Sequence, residues 1–257
     1  MAVLDTEKMY HIALSKEDIE GAKYAIIPGD PGRVPKIAAF LQNSRQLAYN
    51  REYNSYIGEL NGEKVLCVST GIGGPSASIC VEELHQLGVE NFIRVGTCGG
   101  MDMKVLPGDN IVVTGAIRME GTSKEYLPIE FPAVADLDIT VALRDAARKL
   151  GLNYHTGVVQ CKDSFYGQHS PSRMPVSYEL ENKWQAWLRG GCLGSEMESA
   201  ALFTVCAALG VKAGAVMYCV WNQERASAGF VEEKQHDTEA AIRIAIEALK
   251  TLIGEKK

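Results

Sequence analysis

Short apolar runs alternate along the chain with longer segments whose apolar residues recur at helical spacing. The runs at 24–27, 65–69, 92–95, 110–114, 156–160 and 213–220 predict strands, and the segments 35–41, 76–87, 140–150, 178–189, 197–209 and 236–253 predict helices. Strands and helices taking turns in this way imply an α/β class, a layered sandwich built on a central sheet. No internal repeat, low-complexity tract or long linker interrupts the pattern, so residues 1–257 are read as a single domain. Residues 223–235 lack a clean period, contain Gly229, and read as a lid before the last helix.

Composition narrows the partners. With 257 residues, 46% hydrophobic and 23% charged, the chain can bury a sizeable core. A net charge of −6 argues against nucleic acid or an anionic membrane as partner, so an anionic ligand requires a local cluster of arginines. The seven cysteines contain no C-x-x-C pair and mostly lie in apolar runs, which suits reduced core residues of a cytoplasmic protein. The five histidines show no metal-ligand spacing with them, and no zinc is expected. The first eight residues carry acids where a signal peptide needs an apolar core, and no run of about 18 apolar residues exists, so neither export nor membrane spanning is expected.

Three glycine-containing strings carry the candidate chemistry. N-F-I-R-V-G-T-C-G-G, residues 91–100, reads as a buried strand ending in a small-residue elbow, with Arg94 and Thr97 aimed at an anion beyond it. The same string also suits a strand with an ordinary glycine turn and a solvated arginine. P-G-D-P-G-R, with Gly29 and Arg33, makes a rigid turn opening a helix, and T-G-I-G-G-P-S, residues 70–76, makes another with Pro75 at a favoured first position. Each is also a common surface turn when taken alone.

Taken in order, P-G-D-P-x-R, then R-E-Y at 51–53, T-G-I-G-G-P-S-x-S-I-x-x-E-E-L at 70–84, R-V-G-T-x-G at Arg94 and G-S-E-M-E-S-A at 194–200 resemble the nucleoside phosphorylase family of the uridine phosphorylase type. The resemblance spans nearly the whole chain. It implies a three-layer α/β/α sandwich with a central mixed β-sheet, and phosphate-dependent cleavage of uridine to uracil and ribose 1-phosphate.

Residue by residue, the resemblance implies that Gly29, Arg33, Arg94 and Thr97 hold phosphate, with Arg51 supplied by a neighbouring subunit. A dimer would then be the smallest complete unit, within a homo-hexamer built as a trimer of dimers. His11 matches a position reaching across to the ribose 5′-hydroxyl, Met197 one that packs on the sugar, and Glu198 one that accepts hydrogen bonds from ribose hydroxyls. A carboxylate suits a vicinal diol because it only accepts. Without the family, the E-M-E triplet reads as helix-start acids around a core methionine. Glu52, Ile72 and Ser76 match positions holding a monovalent cation, K+, at the dimer interface, and an interface hydrogen bond explains them equally well. Phosphate is a co-substrate, and no organic cofactor is implied.

The loop C-K-D-S-F-Y-G-Q-H-S-P-S-R-M-P, residues 161–175, resembles the base-reading loop of uridine phosphorylases, with Phe165 stacking on uracil and Gln168 binding it. It departs from the enterobacterial pattern in being one residue shorter and in having Ser170 where that pattern has an arginine. Lys162, His169 and Arg173 are the candidate replacement donors. Where hexameric purine phosphorylases carry a catalytic aspartate, this chain has Asn222, which favours a pyrimidine, although an asparagine can read a 6-oxopurine. The competing readings are a purine nucleoside phosphorylase, a nucleosidase of the same fold, and a non-catalytic nucleoside-binding protein.

Overall fold

The computed structural model describes residues 8–254, so most of the N-terminal stretch read above as unlike a signal peptide lies outside the described residues. In chain order the elements are β1 (Tyr24–Pro28), α1 (Val34–Ala38), β2 (Gln42–Asn50), β3 (Tyr53–Leu60), β4 (Glu63–Val68), α2 (Gly74–Leu87), β5 (Asn91–Gly100), β6 (Asn110–Arg118), α3 (Thr122–Tyr126), β7 (Ala133–Val134), α4 (Leu137–Lys149), β8 (Tyr154–Cys161), α5 (Phe165–His169), α6 (Ser177–Arg189), β9 (Gly194–Glu196), α7 (Ser199–Leu209), β10 (Lys212–Asn222), α8 (Gln223–Ser227) and α9 (Glu239–Gly254).

All ten strands form one mixed sheet, in the order β10-β6-β8-β9-β5-β1-β4-β3-β2 with β7 beside β6. The added β10–β5 pairing closes the β5, β10, β6, β8, β9 portion on itself. Two hydrophobic clusters lie on opposite faces. One joins α2 and α7 through Leu84, Phe92 and Phe203, and the other joins α1, α4 and α9 through Ile37, Leu143 and Leu249. Phe92 and Ile93 enter different clusters because successive strand side chains point to opposite faces. The expected α/β/α layering is therefore present. β5 is buried on both sides, which explains its nearly unbroken apolar run.

Three expectations need correction. Residues 96–100 are not an elbow: β5 runs through Gly100, paired with β10 on one side and β9 on the other. The glycines are there because the neighbouring chain comes close; a Cβ on Gly100 would stand 2.7 Å from Asn222 Nδ2, and one on Gly96 would collide with Met217 Sδ. The E-M-E triplet does not start a helix. Glu196 ends β9 and its carboxylate accepts the N–H groups of Glu198 (2.9 Å) and Ser199 (3.0 Å), so α7 opens at Ser199 with Met197 and Glu198 held ahead of it. The last helix begins at Glu239 rather than 236. The β2–β3 hairpin and short β9 were not anticipated; β2 is a largely exposed, polar edge strand without a clean period.

Candidate active site

Two backbone turns meet at the carboxyl ends of β1 and β4, beside β5. After β1, the Asp30 side chain accepts the Gly32 N–H at 2.9 Å and fixes a 3-10 turn at Pro31–Arg33. After β4, Thr70 N donates to Pro28 O at 2.8 Å, docking the second glycine string on the first. The approach is tight enough that a Cβ on Gly29 would stand 3.1 Å from Gly71 O. Gly71, at φ +67°, has the left-handed backbone that glycine accepts without strain.

These turns border a cleft of about 970 Å³ whose walls include Gly29, Arg33, Arg94, Thr97, Met197 and Glu198. Arg94 rises from the middle of β5 and is 4% exposed. Its Nη2 donates to Glu198 Oε2, while Nε lies 3.4 Å from Glu196 Oε2, an ion-pair distance without hydrogen-bond geometry. Nη1 has no partner among the described residues and faces Gly29, whose Cβ position is 3.9 Å away. Burial opposes the charge of Arg94, but the Glu198 and Glu196 carboxylates outweigh it and hold the guanidinium protonated. Arg33 donates from Nη1 to Val95 O at 3.1 Å, and its pKa is lowered by burial and then by the charge of Arg94. Two like charges held together beside an unpaired donor form a site for an oxyanion.

Glu198 lies directly against Arg94 on the cleft floor. Its Oε1 accepts the Gly73 N–H at 2.6 Å, and burial pushes its pKa up against the opposing pull of Arg94. Each carboxylate oxygen accepts one bond here and has capacity for another, so hydroxyl donors can be added.

The far end of the cleft is aromatic. Phe165 and His169, on α5, lie with ring centroids 4.3 Å apart, and His169 lies 6.4 Å from Trp221 at the end of β10. Lys162 lines this end and also a second cavity of about 440 Å³ behind it. Gln168 borders only the second cavity, and its Oε1 is bonded to the Ser195 hydroxyl, which also meets Gln160 and receives Lys162 Nζ at 2.7 Å. Of the three candidate donors, Lys162 and His169 line the cleft, whereas Arg173 is exposed and lines neither cavity. Asn222 is fully engaged: its Nδ2 donates to Asp102 O and Val105 O, both at 2.8 Å, and its Oδ1 accepts the Arg225 N–H.

Arg51 and His11 do not line this chain's cleft. They sit together elsewhere on the surface, with Arg51 at φ +54° in the β2–β3 turn and its guanidinium 5.6 Å from the Tyr10 ring centroid. His11 Nδ1 is 2.6 Å from Glu83 Oε1, and Asn50 Nδ2 donates to His11 O at 2.7 Å. Glu52 and Ile72 border the cleft mouth, where the Ser76 hydroxyl donates to Glu52 Oε1 at 2.6 Å within the chain. Sequence reasoning missed Glu196, Ser195, Gln160 and Trp221. Only Glu196 left a signal, as an acid two and three residues ahead of the N–H groups it caps.

The family model for the phosphorylase superfamily matches residues 23–253. The chain belongs to that superfamily. It is 52% identical over 253 residues to a uridine phosphorylase of Treponema pallidum, covering 98% of this chain and 97% of that one. To the uridine phosphorylase of Escherichia coli it is 40% identical, covering 95% and 98%. A guanosine phosphorylase of Halorubrum lacusprofundi is 37% identical, with 95% and 99% covered. The superfamily match and the cleft agree in place: every cleft residue named above falls inside the matched span.

Proposed function

We propose that this protein is a uridine phosphorylase, acting as a single catalytic domain in the cytoplasm on small molecules: uridine and phosphate. The observation carrying the reading is the buried Arg94, with Nη1 unpaired toward Gly29 and Arg33 alongside, at one end of a cleft whose other end is aromatic. Phosphate fits the cations, the Gly29 turn and Thr97. Glu198 takes ribose hydroxyls and offsets positive charge growing on the sugar, with Met197 against its face. The base stacks on Phe165. Hydrogen phosphate bonds to C1′ as the C1′–N1 bond breaks, the electron pair leaves on the base, and the proton from phosphate ends on uracil.

Arg51 and His11 share one surface patch away from their own cleft, which supports their delivery together to a neighbour's site in a hexamer of three dimers. Glu52, Ser76 and the Ile72 carbonyl supply oxygen donors suited to a hard monovalent cation such as K+, completed by the second subunit.

The relative named guanosine phosphorylase motivates the second reading, a purine nucleoside phosphorylase. Both Nδ2 protons of Asn222 are spent on backbone carbonyls and the residue does not line the cleft, which argues against its protonating or reading a purine there and favours uridine. Incubation with uridine, inosine and guanosine, each with and without phosphate, tests the proposal. Expected is uridine cleavage that requires phosphate and yields ribose 1-phosphate. Free ribose formed without phosphate makes the protein a nucleosidase, and faster turnover of either purine nucleoside overturns the choice of base.

A further inference from the structure

Lys162 is 4% exposed, yet among the described residues no carboxylate lies within ion-pair distance of its ammonium. Burial lowers its pKa against the pull of the more distant Glu196 and Glu198 carboxylates, and a buried lysine without a direct ion pair is rarely kept for packing alone. Its donors can be counted. One N–H goes to Ser195 Oγ at 2.7 Å, a second makes a long contact with Glu196 O at 3.4 Å, and the third has no acceptor among the described residues. Lys162 borders both the aromatic end of the cleft and the cavity behind it.

The neighbours explain how the ammonium is aimed. The single hydroxyl proton of Ser195 is directed at the amide oxygens of Gln160 and Gln168, and its oxygen accepts from Lys162. The cluster fixes the lysine head from behind. The other polar candidates in the loop are weaker: Arg173 lines neither cavity, and His169 is held neutral by burial and by the charge of Lys162 itself.

We infer that Lys162 is a catalytic residue that donates its free N–H to a carbonyl oxygen of the pyrimidine and stabilises the base anion as the C1′–N1 bond breaks, with Ser195 and Gln168 as positioning residues. This rests on the uridine phosphorylase reading. When the bond breaks, its electron pair enters the uracil ring and spreads onto the carbonyl oxygens. A cation fixed there binds the transition state more strongly than the neutral substrate, which is the condition for raising kcat.

The test uses Lys162→Met, of similar length and uncharged, and Lys162→Gln, which keeps a neutral donor, each assayed with phosphate on uridine, 5-fluorouridine and 5-methyluridine. Expected for Lys162→Met is a loss of about 10²–10³-fold in kcat on uridine, with KM for phosphate little changed. Lys162→Gln should fall between it and wild type. The penalty should be smaller for 5-fluorouridine, whose fluorine already withdraws charge, than for 5-methyluridine. A merely structural lysine would lower all three substrates equally, and that result overturns the inference, as does a loss under about threefold. If Lys162→Met fails to fold, the leaving-group dependence of Lys162→Gln decides. A wild type that cleaves no uridine with phosphate defeats the function proposed above, whereas an active wild type with insensitive variants defeats only the role of Lys162.

Discussion

Replacing Arg94 with methionine removes a cation that two buried carboxylates and an anion site share. Glu196 and Glu198 are 3% and 6% exposed, so the variant leaves them facing each other without a counter-charge. Breaking a buried pair by removing one partner costs about 3–5 kcal/mol. For a chain of this size that lowers the midpoint of thermal unfolding by roughly 6–20 °C. The catalytic loss is separate. Nη1 faces Gly29 without a hydrogen bond, and a bound phosphate can take it. At about 1.5–3 kcal/mol for a charged hydrogen bond, its loss reduces kcat/KM for phosphate by about 10–10²-fold. The assay is initial rate against phosphate at saturating uridine, well below the unfolding midpoint and with circular dichroism as a check on folding. Arg94→Lys restores a point charge but not the planar fork, so it should recover stability more than phosphate kinetics. A kcat/KM for phosphate within about threefold of wild type in a folded Arg94→Met protein would refute the anion assignment.

Mixed oligomers of Arg51→Ala and Arg94→Ala chains should regain activity, because some sites combine an intact Arg94 with a neighbour's intact Arg51; absence of rescue after confirmed subunit exchange counts against a shared site. His169 has its pKa lowered below 6.5 by burial, then by the charges of Lys162 and Lys234, so the unfolded chain binds its proton first as pH falls. Its contribution to stability is therefore present above about pH 6.5 and lost as pH drops through the lowered value, and His169→Gln should flatten the fall in unfolding midpoint between about pH 7 and 5. Equal slopes for the two proteins would exclude this linkage. All seven cysteines are buried, and burial raises the Cys67, Cys80, Cys161 and Cys206 thiols, so an aromatic disulfide reagent should label the folded protein slowly and all seven thiols after unfolding. Fast labelling of Cys98, which borders the cleft, would show that the floor opens.

The strands legible in the sequence are those whose burial is unambiguous. β1, β5 and β10 lie inside the sheet and read as apolar runs, whereas β2 is an exposed edge whose Gln, Asn, Ser and Arg side chains carry no period. The glycine-lined, arginine-bearing end of the cleft was legible for a related reason. Its glycines mark where backbones approach within a methyl group of each other, and an arginine inside an apolar run has to be paired when buried. The base end was not. Whether Gln168 faces the cleft or turns back to Ser195 depends on a hydroxyl from β9, a three-residue strand far away in sequence. That Glu196 caps α7 while leaning on Arg94 is likewise a tertiary fact, set by where β5 and β9 pair.

An acidic chain suits the proposed phosphate site because charge acts locally in a partly buried cleft. The net −6 is spread over a surface where exposed acids lie beside lysines and arginines, as in Lys64 with Glu20 and Glu59 or Lys212 with Asp138, and solvent screens them within about 8–10 Å. In the cleft, Arg33 and Arg94 meet Glu196 and Glu198, and the low dielectric strengthens each of those interactions. The two carboxylates do more than neutralise. Burial opposes the charge of Arg94, and with the two carboxylates beside it the guanidinium stays charged while Nη1 makes no hydrogen bond. Arg33 repels Arg94 until an anion lies between them. The protein therefore bears the cost of assembling like charges in folding, and a phosphate bound as proposed would relieve it beside the arginine that β5 carries.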